Sequence, residues 1–536
     1  MVFTTAAVER WTTAGTLMGM ASDEGPDMVR LTVDGVAVEV PDDGGTLLEV
    51  LRGHLGNLSV KDGCSPQGQC GCCTVLVDGQ PRVSCVTPVR RVDGRTVTTL
   101  EGLAPAELTA WTDAFCATGG SQCGFCTPGI VVRFAGLRAS APEVSPPDRD
   151  RAARSLHAHL CRCTGWQTVL EAWDAYGTAP AATIGDPATG RRAALEGRTR
   201  QVVGPEVVSG RGGFAADTAP EGSLVAVSDG DGGWVVGSTL HEARLAAGRV
   251  QGRRTTVAAV PPLEAPDGEW DVVLRTSWVE PAYLETDASW CEPGGEASSP
   301  LANGGAFGAK LDSVTSAAAR ALADEHGRAV LAVLSREDTV QLGAKRPPVS
   351  GGALADGTGV MRVVRTPGVV EAIAAVAPGL VVEEVDVPGP PTSSSLRAAG
   401  WAEAVVLLAG AGALDGPVVS PDGATATAVV DDDGIHVSVR CGDPLDETVL
   451  RSYCVGAAHM AWSWVTSEAL SVDADGIVQD LTVRSFGVVR ATDTPSISVV
   501  IEDDGGESVN GSDAVFAAVA AATWRHRGCP EELPTG

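Results

Sequence analysis

Apolar and polar residues alternate in two stretches near the start of the chain, each broken by an Asp-Gly pair. Leu31–Val33 and Val36–Val40 flank Asp34-Gly35, and Val75–Val77 and Arg82–Cys85 flank Asp78-Gly79. Alternation around Asp-Gly predicts a hairpin, with a type I′ turn in the first case. Between the two hairpins, Thr46-Leu-Leu-Glu49 forms a capping-box pattern. It predicts a helix carrying Leu47, Leu48, Val50 and Leu51. Residues 103–176 read as four short helices. Thr127-Pro128 reads as N-cap and first helical residue, which puts Cys126 just before a helix start. Thr164 reads as the cap of the helix carrying Trp166 and Trp173. Residues 177–200 are rich in Ala, Gly, Thr and Pro and read as a linker. Farther on, Ala424–Val430 and Ile435–Val439 alternate around Asp433-Gly434, and Asp473-Ala-Asp475-Gly476 reads as another hairpin turn. No internal repeat is evident.

At 536 residues the chain is too long for one core, so three or four domains are expected. A hydrophobic content of 44% argues against disorder. The net charge of −29 repels nucleic acid and anionic membrane. No run of eighteen apolar residues occurs, so no membrane insertion is expected. The N-terminus lacks a basic start followed by an apolar block and does not read as a secretory signal. With free thiols suited to a reducing compartment, the expectation is a cytoplasmic protein.

The candidate chemistry lies in eight cysteines forming two sets of four. Cys64, Cys70, Cys73 and Cys85 lie in DGCSPQGQCGCCTVLVDGQPRVSC, and Cys123, Cys126, Cys161 and Cys163 lie in QCGFCTPG and LCRCTG. Two such sets imply two centres, since iron–sulfur clusters take four cysteine thiolates each. The first set follows Cys-x5-Cys-x2-Cys with Cys85 after eleven more residues, one residue longer in the loop than the plant-type run. Structural zinc usually shows two similar Cys-x2-Cys pairs, and these sets are unlike each other. Disulfides suit short secreted chains, and this chain is long. Gly63, Gly68 and Gly71 interleave the first set, where they let backbone N–H groups turn toward an anion. Helix N-termini beside the second set favour thiolates and negative charge. Cys116, Cys291, Cys441, Cys454 and Cys529 read as buried small hydrophobes. So does Cys72, although it sits between two of the ligand positions, where an assignment can slip.

From about Met28 to Tyr176 the chain resembles the iron–sulfur half of the molybdenum hydroxylases, the xanthine dehydrogenase / aldehyde oxidase family. QCGFCTPG and CRCTG carry the resemblance most specifically. It implies an α+β chain: an N-terminal extension over 1–27, a β-grasp 2Fe-2S ferredoxin-like domain over 28–102 and a four-helix 2Fe-2S domain over 103–176. Past the 177–200 linker, a hammerhead-like start of a molybdopterin chain is expected over 201–262 and a shortened α/β molybdopterin-binding-like domain over 263–536. VVSGRGGFAADTAPEGSLVAV, EPAYLETDASW, GGAFGAK, LSREDT, GAKRPP and SLRAAGWAEA carry this second part. The implied ligands are two [2Fe–2S] clusters on the eight cysteines. Gln122 matches a glutamine that touches the pterin, and Phe307 and Gly308 match cofactor-binding positions.

The second part also departs from the family. Only CEPGGEASSPLAN lies between Trp290 and Gly304, where the family has a longer segment with a glutamine contacting the molybdenum site. Tyr453 stands at a glutamine position, and Ala461 and Ser463 stand at glycine positions of the cofactor helix. Glu507, in DDGGESVNG, matches the catalytic glutamate only if an insertion is allowed before Phe516–Trp524. Otherwise it reads as an exposed glutamate in a polar turn. GAGALDG at 410–416 lacks dinucleotide-binding spacing. The resemblance therefore implies an electron-transfer component with no catalytic residue of its own. The molybdopterin chain is expected as a partner, and a flavin chain carrying FAD is a further possible one. The alternatives are a self-contained, shortened hydroxylase and a non-enzymatic iron–sulfur sensor or scaffold.

Overall fold

The structure, a computed structural model, describes residues 28–141, 147–182, 186–249, 252, 255, 257–301, 303, 305–502 and 504–536. The expected extension over 1–27 and Gly304 of GGAFGAK lie outside the described residues.

β1 (Met28–Val33) and β2 (Val36–Pro41) pair antiparallel with Val33 opposite Val36. Asp34 and Gly35 both take positive φ, 50° and 83°, as a type I′ turn requires. Thr46 caps α1 (Leu47–Glu49): its hydroxyl accepts from the Glu49 amide, and the Glu49 carboxylate accepts from the Thr46 amide. The turn runs on as a π-helix over Val50–His54, and Leu47, Leu48, Val50 and Leu51 are buried. β3 (Thr74–Val77), β4 (Gln80–Val83) and β5 (Thr96–Thr98) complete a sheet of order β2-β1-β5-β3-β4. Its one parallel pair is β1 with β5. The second hairpin strand is shorter than expected: Cys85 sits on a 3₁₀ turn, Ser84–Val86, whose tighter winding turns its thiol back toward the loop.

Four helices follow as expected: α2 (Pro105–Thr118), α3 (Thr127–Ala139), α4 (Arg149–Ser155) and α5 (Gln167–Ala175). Two caps differ from expectation. Thr127 is already inside α3, and Cys126 itself is the N-cap. Thr164 caps nothing, because Trp166 is the N-cap of α5 and the Thr164 hydroxyl bonds the Cys161 thiol instead. The expected linker contains α6 (Pro187–Gly197), started by the Asp186 side chain and by Pro187. Its Arg192 is fully buried against Glu196 and the carbonyls of Pro444 and Val509.

The rest of the chain adds three sheets. One orders Trp234–Gly237, Leu224–Ser228, Val330–Val333 and Ala288–Cys291. The second orders Leu380–Val385, Gly359–Val364, Val349–Ala353, Val272–Thr276 and Glu532–Leu533. The third orders Val418–Val419, Thr425–Asp431, Gly434–Arg440 and Ile497–Ile501. Two apolar helices, Glu447–Thr466 and Ser512–His526, pack on each other and against this last sheet. One hydrophobic core runs from Val29 of the first sheet to Leu533 of the second, so both halves share it. The architecture is the α+β order expected.

Candidate metal centres

The 63–73 loop gathers the first set of thiols in the core. Cys64, Cys70, Cys73 and Cys85 are each 1% exposed or less. The Cys64 thiol lies within hydrogen-bonding reach of those of Cys70 and Cys85, and Cys85 lies within reach of Cys73. Cys64 Sγ also accepts from the amides of Gln67 (3.2 Å) and Gln69 (3.5 Å), the backbone donors expected of a glycine-rich turn. Gly63 packs closely on the set: a Cβ there would stand 3.1 Å from both Cys70 Sγ and Cys72 Sγ and 3.2 Å from the Phe125 ring, tighter than ordinary contact. The second half holds this loop from outside. Arg244 donates to Asp62 (2.8 Å) and Ser65 (2.7 Å), and Gln67 bonds the backbone of Leu481 and Val483.

The second set sits at the mouths of α3 and α5. Cys123 and Cys163 thiols are 3.5 Å apart, and Cys126 pairs with Cys161. The hydrogen bond from Cys126, helped by Thr164, brings the Cys161 thiol down to about 6, and the same bond raises Cys126. Gly305, from the second half, faces these thiols; a Cβ there would be 2.9 Å from Cys123 Sγ. The Asn303 side chain donates to the Cys123 carbonyl at 2.8 Å. Arg162, between two of the cysteines, forms a buried two-bond pair with Glu468 (2.6 and 2.7 Å). The two sets are joined directly: the Leu160 amide, next to Cys161, donates to the Cys70 carbonyl at 3.0 Å.

Cys64, Cys70, Cys73 and Cys85, with the Cys72 thiol also within reach of Cys70, and the second set of four are buried groups of soft donors that suit a [2Fe–2S] group each. The second set's thiols come as two pairs, as two irons with two cysteines each require.

The residues expected around a pterin are packed differently. Gln122 is buried; its amide donates to the Cys163 carbonyl and to Ser452, both at 2.9 Å, while Oε1 has no partner. It lines a cavity of about 400 Å³ together with Ser452 and Tyr453. Tyr453 donates to Gln201 at 2.8 Å. Phe307 takes φ 49° and lies under the Arg397 guanidinium, 4.2 Å from it. Gly308 takes φ 96°, and a Cβ there would fall 1.9 Å from the Ser395 carbonyl oxygen. Arg397 reaches Ser512 (3.0 Å), Met460 (3.3 Å) and Asp513 (3.3 Å). Arg346 pairs with Glu403, and the Trp464 and Phe516 rings stack at 5.6 Å. Only about 50 Å³ of cavity remains among these side chains. Glu507 is exposed and lines neither cavity.

Sequence reading missed Arg162, Glu468, Gly305 and Arg336. Arg162 lay between two ligand positions, Gly305 within GGAFGAK and Arg336 within LSREDT, but no role was read for them, and nothing local marked Glu468.

A 2Fe-2S iron-sulfur cluster binding domain matches residues 31–94 of the chain, and a [2Fe-2S] binding domain matches residues 99–174. The xanthine dehydrogenase iron-sulfur-binding subunit of Escherichia coli O157:H7 is 38% identical over 143 residues, 26% of this chain and 89% of that protein. The chain belongs to the molybdenum hydroxylase family. Within that family, the nicotine 6-hydroxylase small subunit of Paenarthrobacter nicotinovorans is 38% identical over 23% of this chain and 75% of its own length. The aldehyde oxidoreductase of Megalodesulfovibrio gigas is 42% identical, but the match spans only 16% of that protein. The solved aldehyde oxidoreductase from Desulfovibrio desulfuricans shares the fold over 93% of this chain and 97% of that chain, with a TM-score of 0.65 at 14% identity. Among the described residues no helix is long and apolar enough to cross a membrane.

Proposed function

We propose that this chain is the iron–sulfur electron-transfer component of a molybdenum hydroxylase. Cys64, Cys70, Cys73 and Cys85 hold one [2Fe–2S] cluster, and Cys123, Cys126, Cys161 and Cys163 hold the other. When bound, such clusters take up and give off single electrons. The protein's part is to fix the thiolates, keep water away and bring the two sets together. The observation that carries this reading is two complete sets of four buried thiols joined by the Leu160–Cys70 hydrogen bond.

Substrate oxidation, at a purine, N-heterocycle or aldehyde carbon, belongs to a partner chain that carries the molybdopterin. The electrons pass on to a flavin, on a further partner chain with FAD, or to another acceptor. Three features support placing catalysis elsewhere. Arg397, Met460, Trp464 and Phe516 fill the space beside Phe307 and Gly308. Tyr453 is engaged with Gln201. Glu507 stands in solvent. The reducing conditions that free thiolates need fit the cytoplasm. The cavity of about 400 Å³ at Gln122 favours a second, narrower reading, in which this half holds a pterin without turnover.

The test is metal analysis of the purified chain. Iron and acid-labile sulfide are expected at about four each per chain, with molybdenum absent when the chain is made alone in a host that supplies the cofactor. Cys85→Ser should remove one EPR signal and leave the other. Zinc in place of iron, or stoichiometric molybdenum with hydroxylase turnover lost in Glu507→Gln, would overturn the reading.

A further inference from the structure

Arg336 lies on the helix Arg336–Leu342 of the second half and is 1% exposed. Its guanidinium spends three of its contacts on carbonyls. Nε and Nη2 donate to the Gly63 carbonyl at 3.2 and 2.6 Å, and Nη2 donates to the Leu284 carbonyl at 2.6 Å. Nη1 is buried with no hydrogen-bond partner, the Tyr283 ring lies 5.9 Å from Cζ, and the group makes no ion pair among the described residues. A guanidinium stays charged, so this is a buried positive charge without a counter-ion, an arrangement that is costly on its own.

The neighbouring cations each reach a carboxylate: Lys61 shares Asp217 with Arg52, and Arg244 pairs with Asp62, Arg162 with Glu468 and Lys310 with Glu285. Gly63 precedes Cys64, and the space at its Cα faces the thiols of Cys70 and Cys72. The unpaired charge of Arg336 thus points at the backbone that frames the first thiol set, while the cations beside the second set are neutralised.

We propose that Arg336 is a positioning residue for electron transfer: its unpaired charge raises the reduction potential of the centre held by Cys64, Cys70, Cys73 and Cys85. This rests on those four cysteines being the ligands of a [2Fe–2S] cluster. One electron arriving there from the second set adds one negative charge, with no bond made or broken. Arg336 stabilises that charge, because cluster potentials follow local charge and burial. Among the described residues, Arg162 and Lys310 beside the second set are each paired with a carboxylate, which favours electrons passing from that set to the first. The second half of the chain therefore contributes to electron transfer through a residue that touches no substrate.

Anaerobic redox titration of the full loaded chain, read by the EPR signal of each centre, tests this. In Arg336→Gln the first centre should become at least tenfold harder to reduce, a negative shift of about 59 mV for one electron. The second centre should move by less than half as much, and Arg336→Lys should keep most of the wild-type potential. An unchanged first midpoint in Arg336→Gln, with both centres loaded, overturns the proposal. If the glutamine variant does not load, Arg336→Met, which leaves no polar group to satisfy, is titrated in its place. Loss of the first centre in both neutral variants with Arg336→Lys fully loaded supports the need for charge. Loss in all three overturns it in favour of packing. A wild-type chain without iron would instead remove the ligand assignment, and the iron and sulfide count reads that separately.

Discussion

His459 faces the interior from the middle of the helix Glu447–Thr466, with Nε2 3.2 Å from the Val489 carbonyl and Nδ1 unpartnered. Burial pulls its pKa down to about 3, and the nearby Arg162 guanidinium pushes the same way. In the folded chain the ring is therefore neutral. The unfolded chain titrates near the ordinary value of about 6.5 and binds the extra proton between there and about 3. Stability contributed by the neutral ring is complete above about pH 6.5 and falls by about 1.4 kcal/mol per pH unit below it. His459→Gln should lose less stability than the wild type between about pH 7.5 and about pH 5.5, the difference being about 1.4 kcal/mol. Denaturant titrations at the two pH values measure it, and identical losses in both proteins would reject the assignment.

At the scale of elements, the Cys161-Arg162-Cys163 loop depends on a residue three hundred positions away. Glu468, just past the end of the helix Glu447–Thr466, is 1% exposed and holds both arms of the Arg162 guanidinium. Removing one partner of a buried pair leaves the other charge uncompensated, at a cost of about 3–5 kcal/mol. Glu468→Ala is expected to open this loop and release the second centre, so iron should fall from about four to about two per chain. The first EPR signal should remain; full iron content would show that the thiols hold the loop alone. The same dependence marks what the sequence could disclose. The Asp-Gly hairpins, the Thr46–Glu49 capping box and the cysteine spacing depend on near neighbours, and all were legible. The roles of Thr127 and Thr164 were misread because backbone geometry and the Cys161 thiol, respectively, decide them. Helix α6 hid in a linker-like composition because its anchor, Arg192, is satisfied by Pro444 and Val509. Arg336 lay within LSREDT, but its role was not legible there, since its partners are the distant Gly63 and Leu284.

For the molecule as a whole, the second half is placed to shield the thiols. Gln67 and Gln69 of the first loop bond the backbone at Leu481, Val483 and Arg484. Arg244 and Arg336 hold that loop at Asp62 and Gly63. Asn303, Gly305 and Ser452 close over the second set and its Gln122. The E. coli relative is matched over 89% of its length by 143 residues of this chain, and the two iron–sulfur domains end at residue 174, so the fragment to compare is residues 1–176. In the fragment, every one of these contacts is replaced by solvent. Thiolate oxidation follows exposure. The expected outcome is equal iron in fragment and full chain when both are loaded without oxygen, followed by a several-fold faster loss of visible absorption from the fragment in air. Equal bleaching rates would show that the first two domains shield their own centres. The retained fold of residues 201–536 would then need another cause, such as docking a molybdopterin chain.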